Sequence, residues 1–369
     1  MTSLSPTDAS ALQAPRSAAV TLQPGSRAWF ARHEMQLAWR DWVSMMTAGK
    51  RMRERVALVG VLVFIAGLHA LAYALLREPL AAGVTATKPT FVLLTALGLL
   101  GGSLMLSQAM ESVTRVFYAR ADLDLILSSP ASSNALFSVR ILAIVLTTAT
   151  LSLMMVVPFV GVAVYLDGAR WLAVIPVLLA TAALATALAV LATIALFKTI
   201  GARRTRLIAQ IIAAVVGAAF LIGTQIAAIL SFGEMSRITL FSSDAVQSAL
   251  PSVSSFVWLP ARAAMAEPLA LAIYIILGFG VLAAVITAHA CRFGRYVLEA
   301  AGASDGADGA QRGTTFTCAT PGDALRKKEW RLLARDPWLI SQTLMQVLYL
   351  VPPAVLLWRN HGDDTAAVA

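Results

Sequence analysis

Residue patterns that could carry out chemistry are scarce in this 369-residue sequence. The stretch TAGKRM (residues 47–52) has the Gly-Lys pair of a phosphate-binding loop. It lacks the earlier glycine and the following Ser or Thr that hold a nucleotide's phosphates and its magnesium ion. His33 and Glu34 begin a zinc-protease pattern, but Leu37 stands where the second zinc-binding histidine belongs. We therefore predict that the chain is not an enzyme and binds no cofactor or metal of its own.

Two histidines, His69 and His289, lie within or at the end of strongly apolar stretches. Ionisable groups in such positions often mark a functional site in a membrane protein. No carboxylate accompanies them deep in any apolar stretch, so we favour a structural reading in which each imidazole hydrogen-bonds to a backbone carbonyl. The same lack of carboxylates disfavours proton- or sodium-coupled transport.

One charged pattern occurs twice in the sequence. Glu34 precedes the pair Arg40-Asp41 by six residues, and Glu329 precedes Arg335-Asp336 by the same distance, at an offset of 295 residues. Both copies run directly into a long apolar stretch. This shared placement indicates a duplicated membrane bundle, an arrangement that is common in transporters.

The region 111–138 is too apolar to be a passive connection. It reads ESVTRVFYARADLDLILSSPASSNALFS, and its apolar residues alternate with Glu111, Arg115, Asp122 and Asp124. A proline at position 130 ends any helix near Ser129. Two readings remain open: a short amphipathic helix that inserts into a groove of a partner protein, or a helix that packs on the bundle.

The elements that must position these residues are membrane spans. The chain is 58% hydrophobic and only 13% charged, about half the charged fraction of a soluble domain. We predict an all-α integral membrane protein, a polytopic helical bundle with cytosolic interface and coupling helices. Seven apolar stretches are long enough to cross a bilayer, at 56–76, 90–110, 139–165, 171–197, 207–230, 269–290 and 338–358.

The basic residues predict the orientation of these spans. With the N-terminus in the cytosol, 23 of the 29 Lys and Arg residues fall on the cytosolic side and 6 on the other. This asymmetry explains the net charge of +9 without nucleic acid. On the outer side, residues 231–268 form the one sizeable loop, and Trp258 suits a position at the depth of the lipid headgroups.

The chain divides by composition into four regions. We expect a disordered cytosolic tail at 1–26, a six-span bundle at 27–298, a flexible cytosolic linker at 299–323, and the start of a second repeat at 324–369 with an interface helix and one span. A helix over the first copy of the charged pattern would place Met35, Trp39, Trp42 and Met46 on one apolar stripe. Such a helix lies at the membrane surface, as a simple surface element or as a docking element for a cytosolic partner.

Two stretches, ADLDLILSSPAS and KKEWRLLARDPWLISQTLMQVLYLVPPAVLL, resemble bacterial ABC-2-type transporter permeases, and in particular large exporter permeases with two six-span halves on one chain. The similarity in span layout covers most of residues 27–358. The second half, however, contains one span here. The resemblance implies that a coupling region touches a cytosolic ATPase and consists of Asp122, Leu123, Asp124, Leu125, Ser128, Ser129 and Pro130. It also implies that cytosolic interface helices carry Glu34, Arg40, Asp41, Glu329, Arg335 and Asp336.

The function that we expect from these observations is that of a permease subunit in the bacterial inner membrane. A partner ATPase would bind ATP and magnesium, the bilayer would surround the bundle, and pairing with a second copy of the chain stays open. The alternative is a permease-like binding or scaffold protein that does not transport. Nothing in the sequence identifies a substrate, because apolar bundles of this kind serve lipid, peptide, drug and polysaccharide exporters alike.

Overall fold

The computed structural model describes residues 26–47, 52–81, 83–118, 133–232, 248, 250–292, 295–296, 320–335 and 337–366. Every regular element in these ranges is a helix. The long ones are α1 (Arg27–Thr47), α2 (Met52–Ala81), α3 (Lys88–Tyr118), α4 (Ser133–Asp167), α5 (Val174–Ile200), α6 (Ala202–Phe232), α8 (Pro268–His289), α9 (Pro321–Arg335) and α10 (Pro337–Ala366). The short helix α7 spans Leu259–Ala264, and 3₁₀ turns cover Ala169–Ala173, Phe256–Trp258 and Ala290–Arg292.

Seven helical segments among the described residues are long and apolar enough to cross a membrane, as predicted. They are Leu58–Ala81, Lys88–Phe117, Asn134–Asp167, Ala169–Ile200, Arg204–Ile226, Pro268–Arg292 and Leu339–Trp358. Several extend beyond the apolar stretches that predicted them. The helix α3 continues to Tyr118 and α4 begins at Ser133, so both ends of the predicted 111–138 loop are helical. The reason is packing, since Val113, Phe117 and Leu136 are almost completely buried there.

The helix α5 forms the centre of the bundle and packs against α3, α4, α6 and α8. Its sequence explains this position, because alanines recur along it and their small side chains allow neighbouring helices to approach closely. Ala180, Ala183 and Ala187 have no exposed surface. Buried threonines also fit this apolar core, since Thr186 and Thr193 each donate a hydrogen bond to the carbonyl one turn earlier.

Helices α5 and α8 meet at one glycine. A Cβ atom added to Gly278 would lie 2.5 Å from the carbonyl oxygen of Ala180 and 3.0 Å from its Cα atom. Real Cβ atoms do not approach backbone so closely, so only glycine fits this crossing. The two helices therefore touch backbone to backbone at this level.

A hydrogen-bonded cluster joins two connections at the end of the bundle where α4 gives way to α5. The Asp167 carboxylate accepts hydrogen bonds from Trp171 Nε1 at 2.8 Å and from Arg170 Nε at 3.1 Å. Arg170 also donates from a terminal nitrogen to the carbonyl oxygen of Val84 at 3.0 Å, in the α2–α3 connection. A single arginine thus ties the two connections together.

Trp258 is buried against α3. It is 2% exposed and packs with Phe91 of α3 at a ring-centroid distance of 6.2 Å. Its indole nitrogen donates to the carbonyl oxygen of Ser252 at 3.0 Å. The one polar atom of the ring is thus satisfied within the protein, and the depth of Trp258 relative to the lipid headgroups stays a prediction.

A tight turn joins α7 to α8 and carries local strain. Ala266 has a φ of 63°, a left-handed conformation that residues with a Cβ rarely adopt. Arg262 and Glu267 bracket the turn, and Arg262 Nε donates to Glu267 Oε2 at 2.6 Å. This hydrogen bond holds the pKa of Glu267 below its ordinary value. The ion pair is one of the contacts that hold the strained turn in place.

The α5–α8 crossing yields a first prediction. Gly278→Ala should destabilise the protein by roughly 1–3 kcal/mol, because the added methyl group must push α8 away from α5. This cost exceeds the gain of about 1 kcal/mol that alanine brings to a helix. Thermal unfolding in detergent measures the change. Gly280→Ala is the matched control, since nothing lies within 4 Å of a Cβ at that position; equal melting temperatures for the two variants would contradict a close backbone contact.

The Arg262–Glu267 pair yields a prediction on pH. The pKa of Glu267 is lower in the folded state than its ordinary value of 4.5. The pair therefore contributes its full stability above that ordinary value and loses it as the pH falls through the lower, folded pKa. We expect Glu267→Gln to melt below the wild-type protein at neutral pH. The gap should close as the solution is acidified, and a gap that is constant with pH would contradict the assignment.

Candidate coupling surface

Aromatic side chains from separate parts of the chain meet at one end of the bundle, here called the α1 end. Phe117 near the end of α3 lies 5.5 Å from Phe197 of α5 and 6.4 Å from Tyr296, measured between ring centroids. Tyr296 and Phe197 are 6.2 Å apart. Phe30 of α1 and Phe137 of α4 belong to the same buried cluster. The end of the bundle is therefore closed by a packed aromatic layer.

The aromatic layer includes the two helix ends that flank the predicted coupling region in the sequence. Residues 119–132 connect α3 to α4, and Phe117 in the last turn of α3 and Leu136 in the first turn of α4 are both buried in the cluster. The seven predicted coupling residues, Asp122, Leu123, Asp124, Leu125, Ser128, Ser129 and Pro130, lie outside the described residues. Their role therefore stays a prediction, while the helix ends that flank them are shown to be fixed.

An ion pair holds α1 against the start of α4. Arg140 Nε lies 3.4 Å from Glu34 Oε1, and the two side chains are 9% and 24% exposed. The contact is close enough for a charge pair, yet Nε of Arg140 has no aligned hydrogen bond. A buried guanidinium is costly without a counter-charge. Glu34, which the repeated pattern singled out, is thus the residue that permits Arg140 to be buried.

The outward face of α1 differs from its bundle face. Phe30 is 4% exposed, whereas Met35 and Trp39 of the predicted apolar stripe are 55% and 64% exposed. Met35 and Trp39 of the stripe are therefore accessible to a membrane surface or another protein, and the side chains of Trp42 and Met46 lie outside the described part of the structure. Arg40 is exposed on the same helix. Asp41 also belongs to this helix, and the position of its side chain lies outside the described part of the structure.

The second copy of the pattern lies on α9. Glu329 is exposed, Arg335 is the last residue of the helix, and Asp336 lies outside the described residues. The helix starts three residues before the predicted boundary at 324. Thr320 caps it, since its hydroxyl accepts from the Asp323 backbone N–H at 3.2 Å and donates to the Asp323 carboxylate at 2.7 Å. That hydrogen bond and one from Arg326 hold the pKa of Asp323 below its ordinary value.

Both histidines have the structural role that was favoured from the sequence. His69 Nδ1 lies 2.8 Å from the carbonyl oxygen of Ile65, and His289 Nδ1 lies 3.1 Å from that of Val285. Each ring satisfies one nitrogen within its own helix. Among the residues that the structure describes, no group of three or more His, Cys, Asp or Glu side chains could hold a metal ion.

Sequence reasoning missed three residues of this surface. Arg140 is one of the 23 basic residues that the sequence predicts on the cytosolic side, between the second and third spans, although it is 8% exposed inside the bundle. The signal was its apolar surroundings, LFSVRILAIV, in which a single charge interrupts a run that is otherwise ready for burial. Phe197 and Tyr296 gave no comparable signal, because only the fold brings them within reach of Phe117.

The ion pair predicts unequal effects from removing its two charges. Glu34→Gln should destabilise the protein by roughly 2–4 kcal/mol, because it leaves the buried guanidinium of Arg140 without a counter-charge. Arg140→Met should cost less, since it leaves the carboxylate of Glu34, which water can reach. Denaturant unfolding in detergent micelles measures both values.

The control for this experiment is Arg115→Met. Arg115 pairs with Glu111 one turn away at 2.7 Å, but its side chain is 73% exposed, so its removal should cost less than about 0.5 kcal/mol. If Glu34→Gln were no more harmful than this control, the pair would not be what holds α1 on α4.

Comparison with known proteins gives no match for this chain. No protein-family model matches the chain, and no curated protein and no solved structure gives a match. The resemblance to ABC-2-type permeases therefore rests on the two sequence stretches quoted above and on the layout of the apolar helices.

Proposed function

We propose that this protein is the membrane-spanning permease subunit of an ATP-driven exporter of the ABC-2 type, energised by a separate cytosolic ATPase. Seven long apolar helices support a position in a membrane, which we take to be the bacterial cytoplasmic membrane. The distribution of basic residues supports a cytosolic N-terminus and hence a cytosolic α1 end. The partner would bind ATP and magnesium, since this sequence has no phosphate-binding loop.

The observation that carries the proposal is the burial of both helix ends that flank residues 119–132. Phe117 at the end of α3 and Leu136 at the start of α4 are each 1% exposed. A partner that pushes or pulls on the chain between them would act on two helices that run the length of the bundle. The surface is thus suited to transmit a displacement from the cytosol into the membrane-spanning helices.

The ion pair of Glu34 with Arg140 extends this transmission to α1. Because the pair joins α1 to the first turns of α4, a shift of α4 relative to the aromatic layer would carry α1 with it. ATP binding and hydrolysis on the partner would favour one arrangement of the bundle over another, and the free energy would enter through differential contacts at this surface. Substrate would pass as the two arrangements alternate.

The first experiment is purification of the tagged protein from its native membrane in mild detergent. The expected result is a co-purifying subunit that carries a phosphate-loop ATPase sequence, whose ATPase activity the permease and its substrate stimulate. Binding of such a subunit without stimulation would favour the alternative, a permease-like scaffold that does not transport. A folded, inserted protein with no ATPase bound would contradict both the partner and the transport function.

The coupling region gives a mutational prediction. Asp122→Ala combined with Asp124→Ala should weaken ATPase association on the order of tenfold or more, about 1.4 kcal/mol, while the protein still inserts in the membrane. Titration of the purified partner onto the permease in nanodiscs measures the affinity. Glu78→Ala is the control, because Glu78 is exposed near the other end of α2. Undiminished binding by the double variant would refute the coupling assignment.

A further inference from the structure

The two copies of the charged pattern can be compared residue by residue at the offset of 295. Residues 30–41 of α1 align with 325–336, which begin on α9 and end one residue after it, and four positions are identical. They are Glu34 with Glu329, Leu37 with Leu332, Arg40 with Arg335, and Asp41 with Asp336. Phe30 aligns with Leu325, another large apolar residue. The two helices therefore carry the same spacing of charged and apolar residues.

The first pair of equivalent residues, Phe30 and Leu325, has opposite environments. Phe30 is 4% exposed in the aromatic layer, whereas its counterpart Leu325 is 57% exposed. Leu332 and Trp330 of α9 are 52% and 71% exposed. The helix α1 packs on α4 and α2, while α9 packs chiefly against α10, the helix that follows it. Leu325 and Leu332 of α9 thus lack the protein surface that covers Phe30 on α1.

The composition of α9 shows what this face is suited to contact. Over the aligned stretch, α1 has two basic and two acidic residues, and α9 has five basic and two acidic residues. The additional basic residues of α9 stand at the places of neutral or weakly basic ones: Arg326 for Ala31, Lys328 for His33 and Arg331 for Gln36. Trp330 stands where α1 has Met35. Added Lys, Arg and Trp are the residues that bring a helix to a membrane surface with anionic lipids.

The arrangement of these side chains on α9 fits a membrane surface. Leu325 and Leu332 are seven residues apart and lie on one side of the helix, and Lys327 and Arg331 are four apart on the other. Lys328 lies beside them, and long basic side chains can extend toward headgroups while their stems stay near apolar atoms. Arg326 is engaged by Asp323 within the first turns. Glu329 lowers the positive charge of the helix without cancelling it.

Chain connectivity places α9 next to the bilayer. The apolar segment Leu339–Trp358 of α10 begins four residues after α9 ends at Arg335. Six candidate spans separate α1 from α9, so an even number of crossings returns the chain to the same side. A helix tethered so closely to a span can reach the adjacent headgroups without any partner protein.

We propose that α9 is a membrane-surface helix that binds anionic phospholipid headgroups through Lys327, Lys328 and Arg331, with Leu325 and Leu332 inserted among the lipids. In this respect the two copies of the pattern have diverged: α1 docks on protein through Glu34 and Arg140, and α9 docks on lipid. The proposal rests on the membrane-spanning arrangement proposed above, but not on a partner ATPase. It therefore stands or falls separately from the transport function.

The test uses the full-length chain with both cysteines, Cys291 and Cys318, replaced by serine. Leu332→Cys carries an environment-sensitive fluorophore, and the protein is placed at one copy per nanodisc of phosphatidylcholine with or without phosphatidylglycerol. We expect a blue-shifted, brighter signal with phosphatidylglycerol, and loss of that signal at high salt. The same fluorophore at Ala324→Cys, on the basic side of the helix, should stay in water.

The charge variant is Lys327→Gln, Lys328→Gln and Arg331→Gln combined. Each basic residue near an anionic surface contributes roughly fivefold to attachment, so the triple variant should shift the balance toward the detached state by roughly a hundredfold. The matched control is Lys198→Gln, Arg204→Gln and Arg206→Gln. It removes the same charge from exposed residues in the last turn of α5 and the first turns of α6 and should leave the signal unchanged.

Three results would overturn the proposal. The fluorophore at position 332 could stay in water in phosphatidylglycerol nanodiscs, or its signal could be equal in the two lipid compositions. Alternatively, the signal could appear only in nanodiscs that hold two copies, which would show that a second copy of the chain covers the face. The salt titration of the labelled protein needs no charge variant and so keeps the test valid if the triple variant folds poorly.

Discussion

The burial of one arginine determines how the α1 end of the bundle is built. Arg140 enters the apolar interior at the first turns of α4, and a guanidinium in that position requires a carboxylate close by. Glu34 supplies it from α1. With α1 in place, Phe30 completes the aromatic layer that fixes the ends of α3 and α4. The buried charge of Arg140 thus links α1 to the candidate coupling surface through Glu34.

In the rest of the bundle, close packing contributes more to helix association than burial of apolar surface does. In a bilayer, lipid chains are as apolar as leucine side chains, so helices associate through close packing and hydrogen bonds. The alanines of α5 and Gly278 of α8 permit that packing. The many exposed leucines and valines on α2 and α10, such as Leu62, Val63 and Leu350, are then the surface that lipid covers.

The sequence was informative where a single physical rule decides the outcome. Length and apolarity predicted the seven long helices, and the lack of a carboxylate near His69 predicted its bond to a backbone carbonyl. The residue Glu34 was found through the repeat, but its partner was not. Pairings such as Glu34 with Arg140, or Phe117 with Phe197 and Tyr296, join distant parts of the chain and depend on how the helices pack. The contact of Trp258 with Phe91 was not predicted for the same reason.

The backbone contact between Gly278 and Ala180 restricts how the bundle can rearrange. Two helices that meet without intervening side chains cannot slide or rotate past each other, because any such movement brings a Cβ of a neighbouring residue into the opposing backbone. The helices α5 and α8 should therefore move together as one rigid body. A change of shape in this protein must then be a hinge or shear between that body and its neighbours, where side chains rather than backbone form the contact surface.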